Sequence, residues 1–216
     1  MAHNAKIKTI PYFLILFCFI LQAHANPTTS FEALTSRLQD PNLSTRQRLQ
    51  AAKQLGQLGD PRGIDPLLQA LNLPGEEAPE IVVPALKQLK AAEVLTKRVL
   101  DENLPLSERL AATKGLRYLK DPIGFPALAK ALSSPDAKLR ADAAWALSVS
   151  GASQAEQELI RVLNDPSKDV RYFVVDALGT VKTPTVRAAL ETRQKIEQAF
   201  TVKFALQQAL AKIPAF

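Results

Sequence analysis

The chain has 216 residues, with 27 lysines and arginines against 21 aspartates and glutamates, two histidines, one cysteine and one methionine. So little histidine and cysteine leaves the usual zinc, copper and haem ligand sets short of donors, and the residues a Ser-His or Cys-His nucleophile would need, His3, Cys18 and His24, all lie within residues 1–25. A net charge of +6 is mild and mixed; it fits some bias towards anionic partners but falls short of the dense basic face of a nucleic-acid binder.

The first element is an export signal. Lys6 and Lys8 precede an apolar run from Tyr12 to Leu21, and Gln22-Ala23-His24-Ala25 follows with the small residues that a cleavage site requires. The run is short for a membrane span. Phe17 before Cys18 is not the small residue expected ahead of a lipid-modified cysteine. Residues 1–25 are therefore expected to be a secretory signal peptide and residues 26–216 a single mature domain, periplasmic or secreted. Removing residues 1–25 takes away both histidines, the cysteine, the methionine and two lysines, leaving 25 basic against 21 acidic residues. The mature chain then has no thiol for a disulfide and a compartment that argues against nucleic acid.

Beyond the signal the chain repeats. Leu58-Gly59-Asp60-Pro61-Arg62-Gly63-Ile64-Asp65-Pro66-Leu67-Leu68-Gln69-Ala70-Leu71 recurs at Leu119–Leu132, with Leu, Asp, Pro, Gly, Leu, Ala and Leu shared without a gap. Leucines at 55, 86, 116, 147 and 178 anchor successive copies thirty or thirty-one residues apart, and the last full unit ends near Leu210. Self-similarity at this period marks a stacked array. Around each anchor the apolar residues fall at helical spacing, as in Leu139, Ala143, Ala146 and Leu147, then Val170, Val174, Ala177 and Leu178. Shorter helices are predicted between anchors at Pro66–Leu71, Phe125–Leu132, Ala155–Leu163 and Thr185–Leu190. Asp40-Pro41, Asp60-Pro61, Asp121-Pro122, Ser134-Pro135-Asp136 and Asp165-Pro166 punctuate the joins, with aspartate placed to cap and proline to start a helix. Gly63 and Gly124 fall in matching turns where backbone freedom is expected. The second unit is irregular: Pro74, Gly75 and Pro79 predict a longer loop, and Pro84 predicts a break or kink in its second helix.

The units resemble HEAT repeats, especially the bacterial HEAT-like type named after phycobilisome lyases. The resemblance rests on Asp165-Pro166-Ser167-Lys168-Asp169-Val170-Arg171 with Val174-Val175-Asp176-Ala177-Leu178-Gly179, and on Leu139-Arg140-Ala141-Asp142-Ala143-Ala144-Trp145-Ala146-Leu147. It covers nearly all of residues 31–212. It implies an all-α, right-handed α-solenoid of about six antiparallel helix pairs, whose second helices line a concave, macromolecule-binding face. Some members of the type act on bilins, but no residue here marks a bilin site.

Counting the anchor leucine as position seven of its helix places Arg48, Arg109, Arg140 and Arg171 at position zero, with Pro79 in the irregular unit. That position lies about 20° from the anchor. The arginine stem should therefore be buried between units with its head on a carboxylate or carbonyl, which is also the role the resemblance implies. Positions one, two, five and nine should face away from the core. They hold Tyr172 at one, Phe173 at two, Lys53, Lys114 and Trp145 at five, and Tyr118 at nine. Trp145, Phe173, Tyr118 and Tyr172 thus share one face of three successive units and form the candidate partner-binding site, with Lys114 and Lys53 as anionic contacts. Asp60, Asp121 and Asp165 are occupied in capping, and Asp142 and Asp176 have no spacing that makes them an acid/base pair. No run of oxygen ligands suits calcium.

The expected function is that of a secreted or periplasmic scaffold or adaptor that binds another protein through its concave face, with no cofactor, metal or catalytic residue. The alternatives are a lyase-like enzyme or accessory, and a peripheral envelope component on anionic lipid or polymer.

Overall fold

The computed structural model describes residues 30–149 and 151–215. The export-signal expectation falls on residues outside that range. Among the described residues there are twelve α-helices and no strand. They form six successive pairs: α1 (Phe31–Gln39) with α2 (Thr45–Leu58), α3 (Ile64–Ala70) with α4 (Glu77–Gln88), α5 (Ala91–Leu100) with α6 (Leu106–Leu119), α7 (Phe125–Ala131) with α8 (Ala137–Ser148), α9 (Glu156–Arg161) with α10 (Lys168–Leu178), and α11 (Pro184–Ile196) with α12 (Phe200–Lys212).

Local chemistry sets the helix starts. Ser44 caps α2 in a reciprocal box: its hydroxyl accepts from the Gln47 amide at 3.4 Å, and the Gln47 side chain accepts from the Ser44 amide at 3.0 Å. Asp136 accepts from the Leu139 amide at 2.9 Å and starts α8. The two copies of the fourteen-residue motif fold alike. In each, the aspartate caps a 3₁₀ turn (Pro61–Gly63 or Pro122–Gly124), and a seven-residue helix follows directly.

Gly63 and Gly124 are not needed for backbone freedom, contrary to expectation, because their φ angles are −68° and −81°. They provide space. A Cβ on Gly63 would sit 3.2 Å from Leu89 Cδ1, and one on Gly124 would sit 2.9 Å from Leu116 Cδ2. The left-handed backbone lies earlier in the repeat, at Gly59 (φ 71°), Lys90 (φ 50°) and Lys120 (φ 52°), directly after the second helix of units one to three. Pro84 does not interrupt α4, which runs from Glu77 to Gln88 with the proline exposed on its surface. The proline costs one backbone hydrogen bond, and the buried Val82, Ala85 and Leu86 on the opposite side hold the helix together.

All five anchor leucines are buried, from 0% to 2% exposed, in one continuous core. Second helices pack on second helices along most of the array, more closely than first helices pack on first helices. The second-helix side is therefore the inner side of the stack. The joint between α4 and α6 is looser than its counterparts. There Leu68 at the end of α3 and Leu95 of α5 reach directly to Gly115 of α6.

The arginine column divides into two kinds. Arg48 and Arg109 donate from Nε to carbonyls at the end of their own unit's first helix, Leu38 at 2.7 Å and Val99 at 3.1 Å. The expected link between units does not form at these two. Arg140 and Arg171 do link units. Arg140 binds Asp165 through two parallel bonds of 2.7 and 3.0 Å, and Arg171 binds Glu197 through two of 2.8 and 2.9 Å. Each also donates from Nη1 to two carbonyls just before its own helix. Glu197 is fully buried and takes Arg193 as a second cation, together with the amides of Gln198 and Ala199. These donors, Arg171 foremost, hold its carboxyl far below the usual glutamate value despite burial.

Candidate partner-binding surface

The exposed stripe of α6, α8, α10 and α12 brings most of the candidate residues together. The Trp145 ring stacks on Phe173 of the next unit, with centroids 5.4 Å apart and planes 18° from parallel. Tyr172 meets Phe173 edge-on at 5.2 Å. Both contacts follow from the unit spacing, since position five of one helix lies beside position two of the next. Trp145 and Tyr172 stay partly open, at 38% and 40% exposure. Phe173 and Tyr118 are half-buried and lean on the core.

Arg117 ties Tyr118 to this group. Its guanidinium carbon lies 3.4 Å from the Trp145 ring centroid and 5.2 Å from that of Tyr118. Planar guanidinium over indole is a favourable cation–π arrangement. The sequence reading omitted Arg117 because position eight was not counted as outward-facing. It also omitted Phe204 and Phe200, which are 55% and 81% exposed on α12. Phe204 occupies position one of the sixth unit, as Tyr172 does in the fifth. Counting on from Leu178 to Leu210 would have found it. Tyr172, Asp176, Gly179, Phe204, Gln208 and Lys212 line a groove of about 330 Å³ between α10 and α12.

Position one does not face outward throughout. Leu49 and Ala141 are buried there, and only Glu80 and Tyr172 are exposed among the first five units. The position straddles the contact with the neighbouring helix, so it opens only where that neighbour leaves room. Position five is more consistent: Lys53, Pro84, Trp145 and Asp176 are exposed, and Lys114 is half-buried.

The two lysines lie apart from each other. Lys114 donates to the Asn72 side chain and borders a polar cleft of about 390 Å³ at the loose joint, where Arg98 pairs with Asp65. Its charge also bears on Asp142, next to the aromatic group. Lys53 borders a shallow depression with Gln57, Glu80 and Pro84, three units from Trp145. It does not join the aromatic site.

The acids take the positions expected of them. Asp60, Asp121 and Asp165 each accept from the amide two residues on. Asp142 is half-buried, and burial raises its pKa although Arg117, Lys138 and Lys114 pull the other way. No ion pair or hydrogen bond joins it to Asp176 among the described residues. No group of three or more His, Cys, Asp or Glu suited to a metal occurs among them either. No described helix is long and apolar enough to cross a membrane.

The family model for HEAT repeats matches residues 125–211, and that for the PBS lyase HEAT-like repeat matches residues 47–72. No curated protein matches the chain. Among solved structures, the complex of CpcE and CpcF of phycocyanin lyase from Nostoc sp. PCC7120 is similar at a TM-score of 0.55 and 18% identity, over 69% of this chain and 99% of that one. A computationally designed armadillo repeat protein for modular peptide recognition is similar at 0.50 and 17%, over 86% of this chain and 100% of that one. Human deoxyhypusine hydroxylase gives 0.49 and 24%, over 85% and 74%. At such identities the likeness to the first two is one of fold. Both family-model matches fall within the array of six helix pairs, which is built of HEAT-type repeats.

Proposed function

We propose that this HEAT-repeat chain is an exported scaffold or adaptor of the cell envelope, which binds another protein non-covalently through its inner face and catalyses no reaction itself. The observation that carries this reading is the Trp145–Phe173–Tyr172 group, continued by Phe204 across the inner stripe. Large aromatic side chains held in fixed geometry at the surface are what protein interfaces use as anchors. The mixed charge and the signal-like residues 1–25 support an extracytoplasmic protein with a soluble partner.

The test is site-specific photo-crosslinking from Gln208, beside the groove, in cells that make the protein at its natural level. The captured partner is identified, and its affinity for the purified chain is measured. Phe173→Ala should keep the helical spectrum and weaken the partner by about 1–2 kcal/mol or more. A partner bound equally well by Phe173→Ala and Trp145→Ala would defeat the assignment of the surface. For the compartment, N-terminal sequencing of envelope material should begin at Asn26; an intact Met1 in the cytoplasm would defeat export.

A further inference from the structure

We infer that the partner segment bound at this surface is a peptide carrying both a carboxylate side chain and a bulky apolar one, the carboxylate pairing with Arg117 and the apolar group entering the Tyr172–Phe204 groove. This rests on the binding reading above and specifies the chemistry of its ligand.

Arg117 carries the argument. A guanidinium has five N–H donors in one plane. The guanidinium carbon of Arg117 lies 3.4 Å from the Trp145 ring centroid, so the indole holds the guanidinium through a cation–π contact. Among the described residues no carboxylate or carbonyl pairs with it, whereas Arg48, Arg109, Arg140 and Arg171 are all bonded through their heads. An arginine held over a ring with its N–H donors unbonded is available for two parallel bonds to a carboxylate.

The surrounding charge points the same way. Arg117, Lys114 and Lys138 all act on Asp142, and Asp136 is the one other acid acting there. Asp136 is already used in capping α8, and Lys114 donates to neutral Asn72. The charges of Arg117, Lys138 and Lys114 thus act on one half-buried carboxylate that has no hydrogen bond among the described residues, leaving positive charge for an incoming acid. Trp145 and Phe173 lie between this patch and the groove walls at Tyr172 and Phe204, so one continuous segment of the ligand can carry both the acid and the apolar group.

The experiment selects a random-peptide phage library on the folded chain and on Arg117→Gln. Enriched peptides are then synthesised with blocked ends and titrated by the emission of Trp145, the chain's one tryptophan. The expected consensus holds aspartate or glutamate within a few residues of phenylalanine, leucine or methionine. Replacing that acid by its amide, or Arg117 by glutamine, should weaken binding at least about tenfold, as loss of a charged hydrogen-bonded pair does. Arg117→Lys should restore it only in part. A basic or neutral consensus that depends on Phe173 would overturn this inference and leave the binding reading standing. No enrichment on any peptide, with Trp145 emission responding instead to phosphatidylglycerol vesicles, would overturn both.

Discussion

The Arg117 guanidinium carbon lies over the Trp145 ring, 3.4 Å from its centroid, while Phe173 stacks on the indole from the adjacent unit. The tryptophan is thus held in a stack but remains 38% exposed. Trp145→Ala loses a ring pair and a cation–π contact and leaves no closed cavity. It should cost on the order of 1–2 kcal/mol, not the roughly 3–5 kcal/mol of a buried aromatic. Urea unfolding measures this, and acrylamide should quench the native emission. Quenching as weak as that of a core indole would contradict the exposure.

Leu147 is fully buried at the centre of α8. Leu147→Ala should lower stability by about 2–5 kcal/mol. Because each unit touches mainly its neighbours, the urea transition of this variant should broaden or split when followed by helical signal and by Trp145 emission together. A midpoint unchanged from the parent would refute the helix phase.

Glu197 makes folding sensitive to acid. Arg171, Arg193 and two amides bind its ionised form, so its folded pKa lies well below the ordinary value of 4.5. The folded state therefore holds this proton less readily than the unfolded chain. The resulting stability is present in full above the unfolded pKa and drains away as pH falls below about 4.5. Glu197→Gln removes that dependence and also leaves two largely buried guanidiniums without a counter-charge. It should cost about 3–5 kcal/mol at neutral pH and flatten the fall in stability between pH 5 and pH 3 on a chemical-denaturation series. A variant with the parent's acid slope would show that other carboxyls govern it.

Lys90 and Lys120 adopt the left-handed conformation that Gly59 adopts at the same point of the first unit. A side chain there costs about 1–2 kcal/mol, part of which a glycine returns as extra freedom when unfolded. Lys120→Gly should therefore stabilise the protein by up to about 1 kcal/mol, and Gly59→Lys should destabilise it by a similar amount. Thermal midpoints read both, and a fall for Lys120→Gly would contradict the assignment.

Where burial repeats with the helix, the residues announced their places. Leu55, Leu86, Leu116, Leu147 and Leu178 are buried as their spacing requires, and positions two and five brought Trp145 and Phe173 onto one stripe. Position one failed at Leu49 and Ala141 because its exposure depends on how closely the next helix approaches, a property of two units and not of one. The partners of the arginine column were also hidden. Whether Arg109 meets a carbonyl or Arg171 meets Glu197 depends on which group the following loop delivers. The helix α5 was legible at Ala91, Leu95 and Val99, four residues apart and all buried, though it is missing from the short helices expected between anchors. Arg117 could not be read as part of the site, since its importance comes from lying on a ring twenty-eight residues away in another unit.

The buried ion-paired clasps at Arg140–Asp165 and Arg171–Glu197 both lie in the last three units, whereas the loose contact between α4 and α6 lies in the first three and is spanned only by the more exposed Arg98–Asp65 pair among the described ion pairs. The array is accordingly not equally stiff along its length. Under load or thermal motion the bending concentrates where packing is sparse, and the clasped half turns as a block. The span from Lys53 to Trp145 is then the length that changes most, while the spacing of Trp145, Phe173 and Phe204 stays constant, like marks on the rigid arm of a folding rule.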